Sequence, residues 1–220
     1  MCALTKILRE PVNALSHMAG SIASMVGLTL MVVTAAIQAD AWHIVSFAVF
    51  GTTLILMYTA SFLYHGLPLS PRWKLRFRRI DHMMIFMVIA GSYTPICLLP
   101  LRGPWGWSLF GVVWAMALGG ILLKIFCMNA PRWISTTIYL VMGWTCIAAV
   151  YPLVKALDGP GLFWLGLGGF FYSLGAVIYA LKRPNPFPRI FGFHEIWHIF
   201  VLLGSASHFW LNYRHLMYVN

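Results

Sequence analysis

Seven stretches of this sequence are each long and apolar enough to cross the roughly 30 Å hydrocarbon core of a bilayer, which takes about 20 residues of helix. They lie near residues 17–37, 43–64, 81–99, 107–126, 134–152, 161–181 and 193–213. Inside hydrocarbon every backbone amide must find its partner within the chain, so only helices or a closed barrel can cross. The stretches are too long for barrel strands and lack the two-residue alternation such strands need. The expected fold is therefore all-α, a seven-transmembrane helix bundle over residues 1–220 that forms a single integral membrane domain. Only 9% of the residues are charged, and the mean hydropathy is +0.80. That composition excludes an ordinary soluble domain.

The formal charge of +10 could suggest a nucleic-acid partner. The basic residues sit between apolar spans, however, where they orient the chain and contact anionic lipid heads. Membrane lipids are the expected partners, and no nucleic acid is expected. The N-terminus and the loops after the second, fourth and sixth spans hold Lys6, Arg9, Arg72, Lys74, Arg76, Arg78, Arg79, Lys124, Arg132, Lys182, Arg183 and Arg189. The other side holds Arg102, Lys155 and Arg214. This asymmetry puts the N-terminus in the cytoplasm and the C-terminus outside a cell membrane. Trp42, Trp105, Trp107, Trp164, Trp210 and Tyr218 then fall at the outer interface, and Trp73 and Trp133 at the inner one. Residues 1–16 carry Lys6, Arg9 and Glu10 without a cleavage pattern, so no removable signal peptide is expected.

Gly159–Pro160 and the run from Arg183 to Pro188 read as helix stops, and Pro95 as a kink. Gly166, Gly168 and Gly169 have no preceding strand and no following Lys, so they read as sites of close helix packing rather than a phosphate loop. Cys2, Cys97, Cys127 and Cys146 form no Cys-x-x-Cys pair and read as packing residues.

The histidines carry the chemistry. His194 and His198 are four apart on the last span, so they share one helix face about 6 Å apart along the axis. His65 ends the second span, four residues after Ser61, and Asp81 opens the third. The seven-span plan brings all of these to the cytoplasmic side. Three histidines with a fourth position left for water is the pattern of a catalytic zinc. A nearby carboxylate, Asp81, could hold that water and take its proton, with Ser61 hydrogen-bonded beside it. His208 lies about 21 Å along the helix from His194 and cannot join them.

Glu10, Asn13 and His17, at the start of the first span, read equally as helix-capping residues or as a polar lid over the metal mouth. His194-Glu195-Ile196-Trp197-His198 also matches the His-Glu-x-x-His pattern in which the Glu is a metalloprotease base, although the longer downstream pattern is absent. The alternative for Glu195 is a polar residue at the first turn of a helix, where the dipole favours negative charge.

At these residues the sequence resembles the hemolysin III family. That family is grouped with the progestin and adipoQ receptors and, more widely, with alkaline ceramidases. The shared pieces are Glu10-x-x-Asn13-x-x-Ser16-His17, Ser61-x-x-x-His65, Asp81-His82, Ala90-Gly91-Ser92-Tyr93-Thr94-Pro95 and His194-x-x-x-His198, spread over the whole chain. The resemblance implies zinc near the cytoplasmic face, held by His65, His194 and His198, with Asp81 and Ser61 beside the water. Its size and the Ser92-Tyr93-Thr94-Pro95 segment look like the bacterial branch, and adiponectin-like signalling is not expected.

The expected function is zinc-dependent hydrolysis of a lipid amide or ester at the inner leaflet, as in a ceramidase-like amidase. The alternative is a non-catalytic sensor or regulator of membrane lipid state. Its zinc would be a structural clasp closed by a fourth ligand, His82 or His17. A pore or transporter has less to support it, because the spans carry little else that could line an ion path.

Overall fold

The computed structural model describes residues 8–128, 130–188 and 190–219. Lys6, Arg189 and Cys2 therefore lie outside the described residues. The described chain is helical with no strand; one isolated bridge pairs Phe187 with Phe191. Seven long helices follow one another: α1 Pro11–Gln38, α2 Ala41–Gly66, α3 Pro71–Leu98, α4 Pro104–Phe126, α5 Arg132–Ala156, α6 Gly159–Leu181 and α7 Phe193–Arg214. All but α7 are long and apolar enough to cross a membrane. His194, Glu195, His198, His208 and Asn212 lower the hydropathy of α7.

Proline sets the starts. Pro11, Pro71, Pro104 and Pro160 all sit in the first turn of a helix, where no intrahelical N–H is needed. Gly159–Pro160, expected as a stop, thus opens α6, capped by Asp158, whose side chain accepts from the Gly161 amide at 2.9 Å. Pro71 likewise starts α3 well before the apolar run. The basic residues Arg72 to Arg79, expected in a loop, occupy its first turns instead. Asp81 therefore does not open α3; it lies about ten residues, or about 15 Å, along it. Hydropathy reports where a helix enters oil, not where it begins.

Short turns make α1 and α2 antiparallel neighbours, followed by α3 and α4, while α6 pairs with α7 and α1 closes the bundle against α7. Phe47, Phe50, Tyr58, Phe86, Met31 and Met142 fill the core. Ile22, Val26, Leu30 and Val33 of α1 and Leu118 and Leu122 of α4 point outward. Such an apolar exterior suits lipid and not water. Trp73 and Trp133 are exposed at one end of the bundle; Trp42, Trp105, Trp107 and Trp210 are exposed at the other. The described cysteines are unpaired, and only Cys97 is buried.

α5 is interrupted. Arg132–Trp144 and Val150–Ala156 are joined by a tighter 3-10 turn, Thr145–Ala149. Tyr93 of α3 reaches this break: its hydroxyl donates to the Gly143 carbonyl at 2.6 Å and accepts from the Cys146 amide at 3.0 Å. Backbone groups freed in an apolar interior need such partners. Among the three glycines expected to permit close packing, Gly168 does so, facing the His208 ring. Gly166 and Gly169 meet nothing within 4 Å and line a cavity instead.

Candidate metal centre

The end of α2 and the N-terminal parts of α1, α3 and α7 meet at the basic end of the bundle. His65, near the last turn of α2, and His198, in the second turn of α7, are buried there. His194 sits one turn before His198. The three rings lie 4.8–5.0 Å apart between centroids. Ligand-capable atoms from all three fall within 4.8 Å of one another.

The donor set fits a small divalent cation. Four-coordinate zinc with Zn–N bonds of about 2.0–2.1 Å requires nitrogens about 3.4 Å apart. The Nε2 atoms of His65 and His194 are 3.4 Å apart. His17, His82 and Asp81 are not among the three clustered residues.

The rings of His65 and His198 are held from behind. His65 Nδ1 lies 2.5 Å from Glu10 Oε2, which leaves Nε2 for a metal. A carboxylate on the far nitrogen fixes tautomer and orientation and raises ligand basicity. Glu10 stands just before α1. Burial pushes its carboxyl up, but the hydrogen bond and charge of His65, with the Arg9 guanidinium, bring it down to about 2. His198 Nδ1 lies 3.4 Å from the Ser16 hydroxyl.

The start of α1 is tied into this centre. Asn13 Nδ2 donates to Glu195 Oε1 at 2.8 Å and to Glu10 Oε2 at 3.3 Å. The Arg9 and Glu10 amides donate to the carbonyls of Gly66 and His65. His17 stacks on His198 at 3.6 Å, and neither of its ring nitrogens has a hydrogen-bond partner. Glu195 has both oxygens occupied: Oε1 by Asn13, and Oε2 by the Gly192 amide at 2.8 Å. The latter bond caps the start of α7.

Asp81 and Ser61 face one cavity together with His194 and His198, and the Ser61 hydroxyl lies beside the Asp81 carboxylate. The cavity is about 610 Å³. It runs from these groups past Met57, Ile89, Ile96 and Leu162 to His208 at the far end of α7. Its walls are mostly apolar. His82 faces the same cavity beside Asp81, and its carbonyl accepts from the Tyr139 hydroxyl at 3.1 Å. The metal-type histidines were legible from spacing. The lining by Lys124 and His208 was not, since Lys124 read only as a helix end and His208 as a residue about 21 Å along α7 from His194.

A model of haemolysin-III-related proteins matches residues 5–209. The chain is 43% identical over 203 residues to a hemolysin-3 homolog from Bacillus subtilis, covering 92% of each chain. It is 39% identical over 210 residues to hemolysin-3 of Bacillus cereus, covering 95% of this chain and 93% of that one. A more distant similarity, 24% over 236 residues, joins it to an adiponectin receptor protein of Drosophila melanogaster, covering 94% of this chain and 50% of that one.

Proposed function

The chain belongs to the haemolysin-III-related family and is a multi-pass membrane protein, and from that premise we propose that it is a zinc-dependent hydrolase of a lipid amide or ester. The reaction takes place at the cytoplasmic leaflet of the cell membrane. The helices cross seven times, with the N-terminus inside and the C-terminus outside. The observation that carries this reading is one juxtaposition: three imidazoles at metal-binding distance, with Asp81 and Ser61 beside them at the head of a long apolar cavity.

Bound zinc would supply Lewis acidity, polarising the substrate carbonyl and lowering the pKa of a water. His65, His194 and His198 would hold it. Glu10 keeps the His65 ring turned so that Nε2 faces inward. Asp81 accepts the proton of the attacking water and returns it to the departing amine or alcohol. Ser61 steadies the Asp81 carboxylate. The apolar walls take the acyl chain and keep bulk water from the reacting carbonyl.

Metal analysis and lipid turnover in purified wild type and Asp81→Ala test this reading. Zinc in both, with turnover of a ceramide, acyl amide or phospholipid falling about 100-fold or more in the variant, supports it, since a positioned acid–base group contributes about 10²–10⁴. Zinc in the wild type with no turnover above that of the variant overturns the hydrolase.

One observation favours the second reading, a regulator of membrane state with a closed zinc clasp. His17 is buried against His198 with both ring nitrogens free to act as a fourth ligand. Under that reading His17→Ala loses zinc, and Asp81→Ala leaves the effect on membrane lipid order unchanged. Under the hydrolase reading His17→Ala retains zinc.

A further inference from the structure

The same cavity carries a second polar feature that the metal chemistry does not use. Arg78, Lys124, Arg132 and Lys182 all line its basic end. Lys124 is the unusual member, with only 3% of its surface exposed. Its ammonium donates to one neutral group, the Ser135 hydroxyl, at 2.5 Å. Arg78 and His82 line the same cavity as Lys124. Arg132 lies over the Tyr179 ring at 4.4 Å, with its guanidinium donating to the Tyr179 carbonyl.

These cations lack acids. The chain has five Asp and Glu residues in all. Glu10 pairs with Arg9 and His65, Asp40 with His43 and Arg102, and Asp158 with His215. Glu195 caps α7. Asp81 alone shares the cavity with four cations. Burying an ammonium away from water without a counter-charge is costly, so the arrangement calls for an anion from outside the chain. Several cations lining one cavity suit a phosphate better than a singly charged carboxylate, and an arginine fork matches its oxygens.

We propose that Lys124 and Arg78, with Arg132 and Lys182 at the rim, form a binding site for a phosphate group at the mouth of the cavity. The phosphate sits beside Asp81 and the histidines, and an attached acyl chain continues into the apolar interior. Its ligands are phosphate-bearing lipids, and the inorganic ion shares the same chemistry. The inference rests on the lipid-binding half of the function proposed above and is independent of hydrolysis.

Native mass spectrometry of the detergent-purified full chain, offered equal amounts of phosphatidylglycerol and phosphatidylcholine, tests it, with zinc content as the check on folding. Phosphatidylcholine carries a phosphate masked by a neighbouring cation, so the comparison reads free anionic charge. The wild type is expected to retain one phosphatidylglycerol about tenfold or more over phosphatidylcholine, the worth of one or two charge-assisted hydrogen bonds. Lys124→Met and Arg78→Gln should each abolish the preference while keeping zinc. Arg72→Gln/Lys74→Gln, on exposed turns of α3 outside the cavity lining, should keep it. If Lys124→Met does not fold, Arg78→Gln carries the comparison.

Displacement of the lipid by millimolar inorganic phosphate supports the site and assigns it to the free ion as well. Resistance to displacement supports it and assigns it to lipid alone. No preference in the wild type overturns the site. So does a preference that survives in the cavity variants, or one lost equally in the surface pair. Selective binding without turnover leaves the site standing and removes only the hydrolase.

Discussion

Glu10 holds His65 across 55 positions of sequence, and no spacing rule joins the two. Carboxylates in this position behind a metal-bound imidazole are worth about 10–100-fold in metal affinity. Glu10→Gln is therefore expected to weaken zinc binding by about that factor in a competitive chelator titration, with helicity by circular dichroism unchanged. At this scale the sequence revealed unequal amounts. His194 and His198 were legible because a four-residue step fixes both height and direction on one helix. His65 and Asp81 were legible in height alone, from the order in which spans cross. Rotation about each helix axis is set by packing between helices, and sequence spacing carries no record of it. That is why the stacking of His17 on His198 and the inward burial of Lys124 were not foreseen.

Among the elements, α5 depends most on a neighbour. The Tyr93 hydroxyl serves both a carbonyl and an amide at the point where the helix tightens. Tyr93→Phe keeps the ring and leaves both groups unserved. A loss of about 1–3 kcal/mol is expected, read as a lower thermal unfolding midpoint in detergent. At the opposite end of the bundle, Asp40 caps α2, accepting from the Trp42 and His43 amides at 2.9 and 3.1 Å. The hydrogen bond from the His43 ring is the main reason its carboxyl sits below the ordinary value. A lowered folded pKa means that the charged cap stabilises the protein above the ordinary carboxylate range and fades as pH falls through the lowered value. Asp40→Ala should thus cost about 1 kcal/mol at neutral pH. Its gap from the wild type in thermal midpoint should narrow below about pH 4. Element boundaries were the least legible part of the fold. The basic turns of α3 are helix without being apolar, and the proline that starts them reads equally well as a stop.

For the molecule as a whole, the uneven spread of lysine and arginine makes a direct forecast. In a cysteine-free background, Arg76→Cys and Arg102→Cys should react with a membrane-impermeant maleimide from opposite sides, Arg102→Cys from the exterior of intact cells. Labelling of both from the same side would remove the proposed topology. The all-helical fold was legible because hydrocarbon permits so few backbone solutions; the interior cavity was not, because it depends on how far apart α3, α5 and α6 stand. One further consequence follows from the distance along the chain between the histidines, 129 positions from His65 to His194. During synthesis the first six helices can enter the membrane before the last has left the ribosome, and until then only one of the three imidazoles is present. Metal uptake would therefore wait for α7, and a chain stopped before it would emerge unable to hold the ion.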